Sequence, residues 1–200
     1  MEQGGFELQT KRQEQKEMTR QKIIDTAFFL YSQQGFSVPT STIAQEAGVS
    51  HGSIFVHFPT VDDLLISSLD AFSKEIEKEL LLLSDSDNDI AALLGMHIDV
   101  LIKHEDFYKR LIKETVYLPE ETKNTFIAIQ STVSIHFLQA LEKEMSDGKI
   151  KNVPFHMIFN TWLGLIHYYL LNDSLFVPNG SVLEQHKNTL IECFLTLIEK

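Results

Sequence analysis

The chain has 200 residues, with 17 Lys and Arg against 28 Asp and Glu, a formal net charge of −11, and one cysteine. That length supports one large or two modest domains with a proper core, and the acidic balance excludes a protein that is basic over its whole surface. A single cysteine, with no signal peptide and no long apolar run, excludes a disulfide-stapled secreted domain and places the chain in a reducing cytoplasm.

Taken from the start, the first ten or so residues, with Gly4 and Gly5, read as a mobile beginning, and 1–16 as a flexible arm. Residues 20–36 form a helical pattern with Ile23, Ile24, Ala27, Leu30 and Tyr31 on one face, closed by Gly35. Five bases (Lys11, Arg12, Lys16, Arg20, Lys22) cluster at and before the start of this helix, interleaved with Glu14 and Glu17. No base follows between residues 23 and 70. A nucleic-acid-binding domain is usually basic, so this scarcity counts against such a role, whereas a local patch still acts when net charge does not.

Residues 40–58, TSTIAQEAGVSHGSIFVHF, carry the most specific pattern in the chain. Ile43, Ala44, Ala47, Val49 and Ile54 are small or apolar, and Gly48 stands between two short helical patterns, the layout of a helix-turn-helix. Gly48 suits the left-handed conformation that ends a helix, and Ser50 stands where an N-cap belongs, before a second helix over 51–57. In this motif the second helix enters the major groove, which makes His51, Gly52, Ser53, Val56 and His57 the candidate reading surface and turns Ile54 and Phe58 inward. His51 and His57 would add charge there at mildly acid pH. Pro59 follows, then Thr60 with Asp63 three residues on, a cap before a new apolar repeat.

The whole run, R-x-x-I-I-x-x-A-x-x-L-Y-x-x-x-G-F and then T-S-x-I-A-x-E-A-G-V-S-x-G-x-I-F-x-H-F-P-x-x-x-D-L-L, resembles the DNA-binding domain of tetracycline-repressor (TetR) family transcription regulators over about residues 17–70. The resemblance implies a homodimeric all-α repressor: a DNA-binding domain over 17–60, and a ligand-binding and dimerisation domain over 61–200. Its DNA-binding set on this chain is Arg20, Thr40, Ser41, Ser50, His51, Gly52, Ser53, Phe55, His57 and Thr60. Three departures bear on phosphate contacts. Phe55 stands where the family often has tyrosine, Val61 where lysine is frequent, and the segment between Phe36 and Ile43 is one residue shorter, with Pro39 inside it.

From residue 61 onward there are 12 bases and 22 acids, so nucleic acid is not expected there. Leu65, Leu69, Phe72, Ile76, Leu80 and Leu83 repeat at helical spacing over 61–83, and Ser84-Asp85-Ser86-Asp87-Asn88 is read as the break. Further helices are expected at 89–103, 105–117, 119–146, 154–172 and 181–199, giving an all-α fold of about nine helices and no sheet. Residues 155–171 are apolar nearly all round, which predicts burial on more than one side; His156, Asn160, Thr161 and His167 interrupt the run and exclude a membrane span. The last helix carries Leu183, Leu190, Ile191, Phe194, Leu195 and Ile198, with Cys193 read as a small buried core residue. In the family resemblance the last two helices pair with those of a second copy, and such a dimer presents two reading helices to an operator with two-fold symmetry.

For a ligand, Met96, His97, Phe107, Tyr108, Phe126, Ile129, Phe137, Trp162 and His167 are candidate cavity residues, although aromatic stripes at helical spacing mostly fill space. They suit an apolar or aromatic small-molecule inducer. Six histidines outside the motif (His97, His104, His136, His156, His167, His186) form no H-x-x-x-H or E-x-x-H pair, and no phosphate loop, G-x-S-x-G elbow or Cys/His signature is present. No enzyme, metal or cofactor is therefore expected. The competing reading is an all-α small-molecule-binding or interaction protein without DNA binding, favoured by the missing bases between residues 23 and 70.

Overall fold

In the computed structural model, which describes the backbone of residues 3–84 and 89–200 and the side chains of 11–81 and 89–200, every extended element is helical. The helices are α1 (Gln3–Gln34), α2 (Thr40–Glu46), α3 (His51–His57), α4 (Val61–Ser84), α5 (Ile90–Lys103), α6 (Glu105–Glu114), α7 (Glu120–Ser146), α8 (Phe155–Leu171), α9 (Asp173–Phe176) and α10 (Val182–Ile198), with a 3-10 turn at Thr115–Tyr117. Among the described residues, extended backbone pairs only at an isolated antiparallel bridge between Ile150 and Glu199. Among the described residues no helix is long and apolar enough to cross a membrane. The expected break at Ser84-Asp85-Ser86-Asp87-Asn88 lies largely outside the described residues.

Among the described residues there are ten α-helices against about nine expected, because α9, a single turn, is too short to show periodicity. It starts where Asp173 accepts from its neighbour's amide, Ser174 N, at 2.8 Å. The helix expected over 105–117 tightens into the 3-10 turn after Glu114. At the other end α1 already begins at Gln3, ahead of residue 17. Residues 8–17, LQTKRQEQKE, are mostly strong helix formers, so nothing local stops the helix.

The chain divides into two compact units, Met1–Ala71 and Phe72–Lys200, with α4 running from one into the other. In the first unit Ile23, Ala27, Tyr31, Ile43, Ala44, Ala47, Ile54, Phe58 and Leu64 are buried and form the core that α1, α2, α3 and the start of α4 share. The Tyr31 ring is fully buried and its hydroxyl has no hydrogen-bond partner. Burial raises its ionisation well above the ordinary phenol, with Asp62 adding to the effect.

In the second unit α10 packs on α5 and α8, α6 on α8, and α5 on α7. Trp162, Phe137, Phe194 and Phe107 are fully buried there, and the Trp162 ring lies 5.0 Å from that of Phe194. Two buried carboxylates tie this unit together. Glu105, the first residue of α6, accepts from the backbone amides of Val182 at 3.0 Å and Leu183 at 3.4 Å and from the Ser181 hydroxyl, so it caps α10. Glu144, near the end of α7, accepts from the amide of Ile90 at 3.1 Å at the start of α5. Both place negative charge where unpaired amides and the helix dipole favour it.

α8 buries Ile158, Phe159, Trp162, Ile166 and Leu170 but leaves Met157, Tyr168 and Leu171 exposed, so within one chain it is covered on one side. Cys193, expected in the core, is exposed. On α10 the inward stripe runs through Leu190, Phe194 and Ile198, and Cys193, one residue before Phe194, is rotated out of it.

Candidate nucleic-acid interface

Two short helices and the turn between them build the candidate interface. α2 begins at Thr40, directly after Pro39, whose carbonyl accepts from Thr42 N at 3.0 Å and Ile43 N at 3.2 Å. The proline cannot donate, and its φ of −62° already suits a helix start. Thr40 and Ser41 therefore occupy the first turn of α2 and Ser37 lies ahead of it.

α2 ends at Gly48, which has φ +63°. Gly48 N donates to Gln45 O at 3.0 Å and Val49 N to Ala44 O at 3.0 Å, the paired bonds of a Schellman closure. Ser50 then caps α3: its hydroxyl accepts from Ser53 N at 3.2 Å and lies 2.7 Å from the Ser53 hydroxyl. Ile54 and Phe58 are buried, as expected of the inward face. After Phe58 the chain enters α4 through a reciprocal cap, Thr60 N donating to Asp63 Oδ2 at 2.8 Å and Asp63 N to Thr60 Oγ1 at 3.1 Å.

What remains outward is the candidate reading surface. His51, Gly52, Phe55 and Val56 are exposed, while Ser53 and His57 are half-buried. Thr40 Oγ1 and His51 Nε2 lie 2.9 Å apart, so α2 and α3 are also joined by a polar contact at their first residues. The His51 ring meets Phe55 edge-on at 5.4 Å.

Arg20 is half-buried, its guanidinium 5.0 Å over the Phe58 ring and donating to Ser67 Oγ at 3.1 Å. It is thus partly committed to holding α1 against α4 and the end of α3. Arg12, Lys16, Thr19 and Val56 line one open cleft between α1 and α3. Val56 belongs to the outward set read from the sequence, but its 70% exposure singles it out in a way that periodicity alone does not.

The expectation that His57 adds charge at mildly acid pH is corrected. Burial holds its pKa below the ordinary imidazole value, and the neighbouring cations of Lys16 and Arg20 push the same way against Glu17. Its Nδ1 is buried without a hydrogen-bond partner, so protonating it would place charge where nothing accepts the added proton.

The candidate ligand residues all lie in the second unit, where Met96 and His167 are half-buried and the other seven buried. Trp162 Nε1 donates to His97 Nδ1 at 3.0 Å, and the Tyr108 hydroxyl lies 2.8 Å from His167 Nε2. Phe137 meets His97 edge-on at 6.0 Å, and Phe126 meets Tyr108 in the same way, also at 6.0 Å. Burial, aided by His167, lowers the His97 pKa to about 4; burial alone lowers that of His167, and burial raises that of Tyr108 against the opposing hydrogen bond with Gln130. These interior polar groups are neutral near pH 7. Gln130, a further partner of Tyr108, and the buried Thr122, whose hydroxyl has no partner, were not among the sequence candidates. Their spacing from Phe126 on α7, four residues to either side, was the available signal. Among the described residues no group of three His, Cys, Asp or Glu side chains is placed to hold a metal ion.

Comparison with known proteins agrees with this geometry. Residues 23–67 match the pattern described as "Bacterial regulatory proteins, tetR family". The chain is similar to the uncharacterized HTH-type transcriptional regulator YerO of Bacillus subtilis, 25% identical over 173 residues that cover 82% of this chain and 57% of that protein. It is also similar to the uncharacterized HTH-type transcriptional regulator YuxN of the same organism, 30% identical over 97 residues that cover 46% of this chain and 33% of that one. The chain thus spans about half, or less, of the length of the curated relatives it matches. Its fold is that of a TetR-family transcriptional regulator from Agrobacterium tumefaciens, with TM-score 0.75, 18% identity and coverage of 92% and 100% of the two chains. The same fold is found in a Saccharomonospora viridis regulator solved in complex with choline, with TM-score 0.78, 17% identity and coverage of 92% and 99%. The matched segment contains the α2–α3 turn together with Arg20's partners Phe58 and Ser67, so residues 23–67 carry the pattern of the TetR family of bacterial regulatory proteins, and the likeness of fold extends over nearly the whole chain.

Proposed function

We propose that the protein is a ligand-responsive DNA-binding transcriptional regulator, a cytoplasmic homodimer that represses transcription until a small molecule releases it from its operator. The observation that carries this reading is the α2–α3 pair itself, a glycine-closed first helix and a serine-capped second helix whose outer face is exposed. On this reading residues 17–60 bind DNA, with His51, Gly52, Ser53, Val56 and His57 toward base edges and Arg20, Thr40, Ser41, Ser50, Phe55 and Thr60 along the backbone. The uncovered face of α8 and α10 supports a homodimer, which would offer two copies of α3 to a two-fold operator.

Residues 61–200 would bind the inducer among Met96, His97, Phe107, Tyr108, Phe126, Ile129, Phe137, Trp162 and His167, and their neutral, aromatic character favours an apolar or aromatic compound. The inducer would act by tilting α4, and only through a difference in its affinity for the two states. The test is a mobility-shift assay with DNA upstream of the protein's own gene and with a genomic selection pool. Salt-sensitive, sequence-dependent shifts are expected. Their absence from both would favour a helical small-molecule-binding or interaction protein without DNA binding.

A further inference from the structure

The outermost ridge of α3 consists of Gly52 and Val56. Ile54 is fully buried, and the 3.6-residue turn places the residues two before and two after it on the opposite side of the helix. Gly52 carries no side chain, and a Cβ built there meets no atom within 4 Å. Val56 is 70% exposed. It is therefore the side chain that stands furthest from the body of the first unit along this helix, with Phe55, 44% exposed, on its flank.

The polar side chains beside the ridge already have partners. The Ser50 and Ser53 hydroxyls lie 2.7 Å apart, and Thr40 Oγ1 and His51 Nε2 lie 2.9 Å apart. His57 is half-buried and turned partly inward. Residues 51–58 include no Arg, Lys, Asn or Gln, the side chains that read guanine or adenine with two hydrogen bonds. A valine ridge offers no hydrogen bond at all. In the major groove the base-edge group with which it gains free energy is the C5-methyl of thymine, the one apolar group exposed there.

We propose that Val56 is a specificity-determining residue that reads thymine methyl groups, so that each operator half-site carries an A·T pair whose thymine methyl meets it, with Gly52 letting the helix backbone approach the bases. This rests on the reading that α3 enters the major groove. Arg12 and Lys16, which line the same cleft as Val56, then meet the phosphates beside that pair.

The experiment uses the full chain and the duplex it selects from a random-sequence pool. Each thymine of the selected half-site is replaced in turn by deoxyuridine, which removes the methyl and leaves every hydrogen-bonding group in place. One thymine per half-site is expected to lose about fourfold in affinity, the equivalent of about 0.8 kcal/mol for one buried methyl. With Val56→Ala, checked for native helix content by circular dichroism, that sensitivity is expected to fall below about twofold. Selected half-sites indifferent to every uracil, or an uracil effect that persists unchanged in Val56→Ala, would overturn methyl reading while leaving DNA binding in place. Failure to select any sequence would instead overturn the reading on which it rests. The uracil series on the unaltered protein needs no variant.

Discussion

The two units use polar chemistry at different ranges. In the first, each of these polar devices is local: Gly48 and Val49 close α2 on carbonyls three and five residues back respectively, Ser50 caps the residue three ahead, and Thr60 and Asp63 cap each other. In the second, Glu105 caps the amide of a residue 77 positions later, and Glu144 caps one 54 positions earlier. A unit built from local devices can be written in a short, portable motif, whereas one held by distant carboxylates can vary its helices freely as long as those contacts close. The contrast separates a unit set by its own sequence neighbours from one set by contacts between distant helices.

The largest effect should come from cutting a distant cap. Glu105→Ala leaves two backbone amides and the Ser181 hydroxyl without their acceptor at a buried helix start, and is expected to cost about 3 to 4 kcal/mol. A urea melt reads this as a lower midpoint with near-native helix content before the transition. A loss below about 1 kcal/mol would mean that the distant cap matters no more than a local one and would erase the contrast.

Next is acid sensitivity, whose largest single share should come from His97 in the second unit. His97 folds as the neutral base with its pKa near 4, below the unfolded value of about 6.5. Its contribution to folding is therefore complete above pH 6.5 and is lost as the pH falls toward 4, by about 3 kcal/mol in all. His97→Asn keeps an acceptor for Trp162 but does not titrate, so its stability should fall less steeply over that window. The slope that remains is assigned to His167, His104 and His57, whose shifts have the same sign. An unchanged slope in His97→Asn would move the acid-sensitive group elsewhere.

The smallest effect is local. Gly48→Ala forces a side chain into φ +63° while its Cβ meets only Lys22 Nζ at an ordinary 3.6 Å, so the cost is backbone strain of about 1 to 2 kcal/mol. DNA affinity should fall with it, since the crossing of α2 and α3 depends on that turn. A neutral substitution would show that the turn does not need its glycine.

These ranges also explain what the sequence discloses. Gly48, Ser50 and Thr60 are legible because their partners lie within the same few residues, and so are the ends of most helices, where Pro119, Gly148 and Pro154 punctuate the pattern. Glu105 and Glu144 look like ordinary charged positions on exposed helix faces, because the amides that bury them lie in other helices. Cys193 is misread for a simpler reason: in a helix rich in leucine and phenylalanine one residue of rotation decides inside or outside, and composition does not fix the phase. Arg20 is legible as a base near the motif, but not as one already engaged with Phe58 and Ser67.

The exposed position of Cys193 has a practical consequence. It is the chain's one cysteine, so a thiol reagent labels one known place on α10 without any engineered change. Its modification rate becomes a clock for coverage of that helix: fast while the outer face of α10 is open, and slow if, as proposed, a second copy lies against it. The dilution at which the rate rises would then give the concentration at which the two copies of the proposed dimer part, measured with the first unit untouched.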